Sequence, residues 1–443
     1  MRLGRLGVTP RDDVDRTILR LAVPALGTLA IEPLYVVADT AIIGHLGTTA
    51  LGGLAIAAQV LIFVIGCCNF LAYGTTQRLA RHRGAGRRED AALVGVQALW
   101  LSMLIGVPLA IATAVFAEPV ARMLGGEGAT LDAAVTYLRI SAISLPCVLV
   151  ALVGHGVLRA TRELRAILLV VAVASIGNVV LELVAVYVLD LGIAGSAWST
   201  VIVQAVAAIA YLRALRPAIA PAPTWAIVPV EIVAMLRVGG LLLLRVGALL
   251  STFTLATAVA ARTDDATLGG HQIVSTTFVL MALVLDALAI PAQSLVAEAL
   301  GANDVALARH VGTRVLALSM RFGVGLALVV AALSPLLPRV FSSDGAVIDR
   351  ATVGLLVLAV TLVPGAVAFG LDGVLIGAAE FRFQSILMVA ALAVFVPSIL
   401  LVSQSPDLGI VGIWTAIAIW MTVRAAGSMW RWHHTLRIQP RSR

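Results

Sequence analysis

Twelve apolar segments, divided by short polar breaks, take up almost the whole chain. They run over residues 17–45, 51–77, 91–117, 131–158, 166–189, 193–212, 230–261, 268–300, 306–336, 347–377, 383–402 and 409–430. Runs of about 20 apolar residues are long enough for a helix to cross the hydrocarbon core of a bilayer. In lipid every backbone N–H and C=O needs a partner within the protein, and a helix supplies one to each. The chain is 60% hydrophobic and 12% charged, whereas soluble domains average roughly 45–50% and about 25%. These features give the fold class: an all-α membrane protein with twelve transmembrane helices.

The basic residues orient those helices. All 31 are Arg, because the sequence contains no Lys. With both termini placed in the cytoplasm, 22 of the 31 fall in cytoplasmic termini and loops, including "RLARHRGAGRRED" and "RATRELR". Such asymmetry is the positive-inside rule, so the net charge of +7 reads as topology and anionic-lipid contact, with no nucleic-acid partner. The expected location is the cell's inner (plasma) membrane, multi-pass, and the expected state is a monomer. Residues 1–16 form a cytoplasmic segment. The apolar stretch after them is too long for a cleavable signal and reads as a retained helix. Cys67, Cys68 and Cys147 lie inside apolar segments and read as small hydrophobes, not a disulfide framework.

The sequence also repeats itself. "LRLAVP" (19–24) faces "LRVGGL" (236–241), "LGGLAIAAQ" (51–59) faces "LGGHQIVST" (268–276), "GVLRAT" (156–161) faces "GVLIGA" (373–378), and "GIAGSA" (192–197) faces "GIVGIW" (409–414). Every pair is 217 residues apart. The halves are therefore two pseudosymmetric six-helix lobes, 17–212 and 230–430, followed by a cytoplasmic tail, 431–443. An even number of spans in each half relates them by an axis along the membrane normal. Residues 213–229 join them as a cytoplasmic linker, whose four prolines predict a stiff, non-helical strap. Two lobes on such a strap suit alternating access around a central cavity.

Missing residue types remove several function classes. A P-loop and a Schiff base both require Lys. Neither H-E-x-x-H nor C-x-x-C occurs, and no nucleophile–base pair or metal cluster emerges. The expectation is a non-enzyme without a bound cofactor or metal.

The candidate functional residues are polar groups within the apolar segments. Ionisable side chains at membrane depth cost about 2.5–3.5 kcal/mol each on insertion scales and face a cavity or one another. Segment 1, which runs into "EPLYVVADTAIIGHLG" (32–47), places Thr28, Glu32, Tyr35 and Asp39 on one helical stripe. Pro24, near the start of the same segment, lacks an N–H and allows a kink or hinge. In segment 5, Asn178 and Glu182 share a face at i, i+4, and Thr200 lies in segment 6. Together with Asp39 these groups could carry a proton, or ring a hard cation such as Na⁺ with oxygen. In the second half Arg245 needs Asp286 or Asp372 as a counter-charge. Arg321 falls within segment 9 with no role assigned by the sequence. His155 and His271 read as satisfied interface groups.

The stretches "EPLYVVADTAIIGHLGTTALGGLA", "LRVGGLLLLRVGALLSTFTLATAVAAR", "LDALAIPAQSLVAEALGA" and "LDGVLIGAAEFRF" resemble the DinF-like branch of the multidrug and toxic compound extrusion (MATE) transporters. The resemblance covers nearly the whole chain. It implies multidrug efflux: export of small organic, often cationic or amphipathic compounds by a secondary antiporter coupled to H⁺ or Na⁺. It implies an N-lobe acidic centre at Asp39, Asn178, Glu182 and Thr200, with Pro24 as a bending proline and Tyr35 as a nearby aromatic. It also implies a C-lobe acid at Asp372. Glu182 departs from the pattern, since many relatives have Asp there. The resulting expectation is a proton-coupled exporter, with Na⁺ coupling at the same residues and a lipid-linked precursor flippase as alternatives.

Overall fold

A computed structural model of the chain describes residues 11–435. It contains α1 (Arg11–Gly44), α2 (Thr48–Cys68), α3 (Phe70–Gly84), α4 (Arg88–Val115), α5 (Ala117–Met123), α6 (Gly128–Ala142), α7 (Leu145–Ala160), α8 (Leu164–Leu183), α9 (Gly192–Ile219), α10 (Pro229–Thr263), α11 (Asp265–Gly301), α12 (Val305–Leu333), α13 (Pro338–Phe341), α14 (Gly345–Gly377), α15 (Phe381–Gln404) and α16 (Gly409–Thr435). No strand occurs among the described residues.

Helix starts repeat the interval seen in the sequence. Helices begin at Thr48, Arg88, Gly128, Leu164 and Gly192, and again at Asp265, Val305, Gly345, Phe381 and Gly409, each 217 residues on. Among the described residues eleven helices are long and apolar enough to span a membrane, and α6 with α7, bent by 54°, makes up to twelve. The partner of that bent pair is α14, a single helix of 33 residues, which counts the pair as one span. The same interval governs packing. A Cβ on Gly53 would meet Ala133 and Ala134, and one on Gly270 would meet Arg350 and Ala351. A Cβ on Gly156 would come within 2.9 Å of the Ala72 carbonyl, and one on Gly373 within 2.3 Å of the Ala289 carbonyl. Glycine at these points brings two helix backbones into contact.

The contacts form two compact units: residues up to Val23 with those from Gly240 onward, and Pro24–Gly239. This differs from a division in simple chain order. Val14, Ile18 and Ala22 pack with Leu288, Leu295 and Leu371 in one apolar cluster, and Asp15 pairs with Arg314. Both associations place the first turns of α1 in the unit built from the second half. Correspondingly, the start of α10 belongs with the first half: Phe70 sits against Gly239, and Arg78 pairs with Glu231.

The linker is partly helical. α9 continues through Pro217 to Ile219, because a proline one turn from a helix end gives up a single bond and Arg216 favours the negative end. Residues 220–228 then run non-helically along α4. Gln97 donates to the Ala226 carbonyl and accepts from the Val228 N–H, both at 2.8 Å, while Trp100 donates to the Trp225 carbonyl. The three cysteines are free thiols.

Candidate functional site

In the Pro24–Gly239 unit, α1, α8 and α9 bring most of the predicted polar residues together. Asp39 is buried on α1 and accepts a hydrogen bond from the Ser196 hydroxyl at 3.1 Å. Glu182 is fully buried on α8, and neither of its carboxyl oxygens has a hydrogen-bond donor. The group beside it is the Asp39 carboxyl. Both are acceptors, so the contact becomes a hydrogen bond only when one of them holds a proton. Asn178, one turn before Glu182, donates to Thr200 Oγ1 at 3.3 Å. The Tyr35 hydroxyl lies 3.5 Å from the same oxygen. No Arg is ion-paired with Asp39 or Glu182 among the described residues.

Local backbone features set this geometry. α8 widens into a π-helical turn, Val184–Val188, directly after Glu182, an irregularity often found at functional sites. A Cβ on Gly195 would lie 3.0 Å from the Ala185 carbonyl, so glycine lets α9 rest on that turn. Tyr187 in the turn donates to the Ile42 carbonyl at 2.7 Å, which ties the turn to α1 close to Asp39. Thr28 donates to the Pro24 carbonyl at 3.0 Å, one turn along α1. α1 holds two prolines, Pro24 and Pro33. The side chain of Glu32 lies outside the described residues.

Two neighbours escaped the sequence reading. Ser196 is fully buried, and Tyr137 on α6 sits in electrostatic reach of both Asp39 and Glu182. The signal for Ser196 lies in the repeat. Adding 217 to Asp39, Asn178, Glu182, Ser196 and Thr200 gives Ala256, Phe395, Ile399, Ile413 and Ile417, all part of one buried apolar cluster. The polar centre is thus a departure from pseudosymmetry confined to one unit.

The other unit has a different arrangement. Asp372 on α14 accepts from Arg245 at 2.5 Å and from Arg424 at 2.8 Å, both at Oδ2. Gln384 donates to the Asp372 backbone carbonyl at 3.0 Å. Arg424 is buried over the Trp420 ring, 4.7 Å from its centroid, and also faces Phe369. Of the two counter-charges expected for Arg245, Asp372 makes this contact, while Asp286 lies in electrostatic reach of Arg424. The part played by Arg424 was missed, since one Arg in a long apolar segment gives no clue to its partner. Arg321 on α12 lies within electrostatic reach of Asp15. His155 bonds to the Tyr211 hydroxyl at 2.8 Å, and His271 to Thr257 and Ser275.

With this geometry in view, the MatE family profile matches residues 24–184 and 244–401. Protein DETOXIFICATION 44, chloroplastic, from Arabidopsis thaliana is 31% identical over 427 residues, covering 94% of this chain and 81% of its own. DNA damage-inducible protein F of Escherichia coli (strain K12) is 26% identical over 435 residues, covering 95% and 92%. Among solved structures, the Vibrio cholerae MATE transporter VcmN in the bent form matches with a TM-score of 0.90 at 18% identity, covering 96% of this chain and 98% of its own.

Proposed function

The chain belongs to the MATE family, a family of transporters and not of enzymes, and from that premise we propose that it is a proton-coupled antiporter exporting small organic, often cationic or amphipathic compounds by alternating access. The carrying observation is the carboxyl pair of Asp39 and Glu182, buried, among the described residues, without a cation and with a single hydroxyl donor to Asp39. Such a pair can accept and release a proton without breaking an ion pair. Asp372, held by two guanidiniums, cannot. Asp39 and Glu182 would carry the proton. Asn178 and Thr200 would order the groups around them, and Tyr35 would lie at the edge of the site. Pro24 would act as the hinge through which a change at Asp39 alters the course of α1. A membrane potential of about 100 mV contributes roughly 2.3 kcal/mol for each returning charge.

We place the protein in the cell's inner membrane with both termini cytoplasmic, on the Arg asymmetry, and as a monomer among lipids. A second reading, Na⁺ at the same residues, draws support from the donor-free oxygens of Glu182 and Asn178, since oxygen acceptors suit a hard cation. Reconstituted protein loaded with a panel of cationic and neutral compounds separates the two. Efflux should follow an imposed pH gradient at constant Na⁺, and Asp39→Asn should abolish it. Parental efflux by D39N would refute the mechanism. Efflux that follows a Na⁺ gradient at constant pH would select the second reading.

A further inference from the structure

Resting on the proton-coupling reading, we propose that Ser196 is a positioning residue of the coupling site, setting the pH at which Asp39 exchanges its proton. Three observations support this. Ser196 is fully buried, and its hydroxyl donates to Asp39 Oδ1 at 3.1 Å. The same hydroxyl stands beside Glu182 and Tyr137, so it lies where the carboxyl pair meets. Finally, the repeat "GIAGSA" against "GIVGIW" sets Ser196 opposite Ile413, a fully buried apolar position. A hydroxyl has thus been placed where the same fold packs a hydrocarbon in the other half.

The chemistry follows from what a hydroxyl can do. It donates to a carboxylate, and by rotating it can accept from a carboxylic acid. It therefore stays bonded to Asp39 in both protonation states. Of the two bonds, the one to the charged acceptor is the stronger. The titratable groups facing Asp39 are Glu182 from α8, Tyr137 from α6 and Tyr35 from α1 itself. α9 contributes the Ser196 hydroxyl to Asp39, and Thr200 lies beside Asn178 and Tyr35. Ser199 offers an internal control: its hydroxyl bonds only to the Gly195 and Ser196 carbonyls.

The experiment measures pH-gradient-driven ethidium efflux from proteoliposomes in Na⁺-free buffer across a range of pH. For S196A, the midpoint of the pH profile should move upward by about one pH unit, the scale of one lost charge-assisted hydrogen bond. S196C, which keeps the volume with a weaker donor, should move it by less. S199A should keep the parental profile. An S196A profile matching the parent, or an S199A shift of equal size, would overturn the assignment. D39N, run alongside, tells the two ideas apart. If D39N retains pH-driven efflux, the coupling reading itself fails and the role of Ser196 with it. If D39N loses it while S196A behaves as the parent, only the role of Ser196 fails.

Discussion

Removing the side chain of Asp372 would leave Arg245 and Arg424 without their shared counter-charge. Breaking a buried pair in this way costs about 3–5 kcal/mol, and Arg424 is buried over Trp420. D372A should therefore lower the thermal midpoint in detergent by many degrees, whereas D39N should leave it close to the parent. An equal loss of stability in both would remove the contrast drawn between the two units. Charged residues in apolar segments announce themselves in sequence, and Asp39, Glu182, Arg245 and Asp372 were all legible for that reason. Asn178 was found through its i, i+4 spacing to Glu182. Ser196 and Tyr137 were missed, because neutral polar residues at interhelical contacts are ordinary and a lone hydroxyl shows no charge conflict; only the mismatch of Ser196 with Ile413 across the repeat marks it in the sequence. Arg424 was visible as a charge, but its partner lies 52 residues away and only the fold brings them together.

At the scale of elements, the glycines explain why the sequence repeats. Gly156 and Gly373 each bring a helix backbone against a neighbour, and the alanines they touch, Ala72 and Ala289, are themselves 217 residues apart. A methyl group at either position must push two helices apart, and overpacking of this kind costs roughly 1–3 kcal/mol. G156A and G373A should both lower the thermal midpoint, while G247A, where nothing lies within 4 Å of the added Cβ, should not. A different element-level prediction concerns Asp264, which lies in the loop before α11. Its carboxylate accepts from the Thr267 N–H at 2.6 Å and from the Thr267 hydroxyl at 2.8 Å. That capping, above all the backbone N–H, holds its pKa below the usual carboxylate value of 3.8. A depressed pKa means that the cap stabilises the fold fully above the unfolded-state value and loses that contribution as pH falls through the folded one. D264A should therefore lose about 1 kcal/mol, the usual worth of an N-cap, at neutral pH. Parent and variant should converge only at acid pH below 3.8. Span positions were readable from hydropathy, but the π-helical turn after Glu182 was not. Its cause is tertiary, the seating of α9 through Gly195 and the bond from Tyr187 to Ile42.

For the whole molecule, the question is how many charges move in one transport cycle. The two halves share a helix plan, yet among the described residues the carboxyl pair of Asp39 and Glu182, without an ion-paired Arg, lies in one of them. The equivalent positions in the other are filled by Ala256, Phe395, Ile399, Ile413 and Ile417. Asp372 is held by two guanidiniums, so on the proposed coupling Asp39 and Glu182 would be the carriers. These carboxyls are neighbours, and two carboxyls sharing one buried site do not both ionise, so one keeps its proton. On the proposed mechanism the pair would therefore exchange one proton per cycle. Exchange of one proton for one monovalent organic cation moves no net charge. Efflux of such a compound should be unchanged when a potassium-diffusion potential of about 100 mV is imposed, whereas each uncompensated charge would add about 2.3 kcal/mol of drive. A neutral compound exported by the same cycle carries the proton's charge uncompensated, so its efflux should respond to that potential. Measuring both compounds in the same vesicles provides the test. If efflux of the monovalent cation accelerates under an inside-negative potential, more than one proton returns per cycle, and the carboxyl pair does not act as a single carrier.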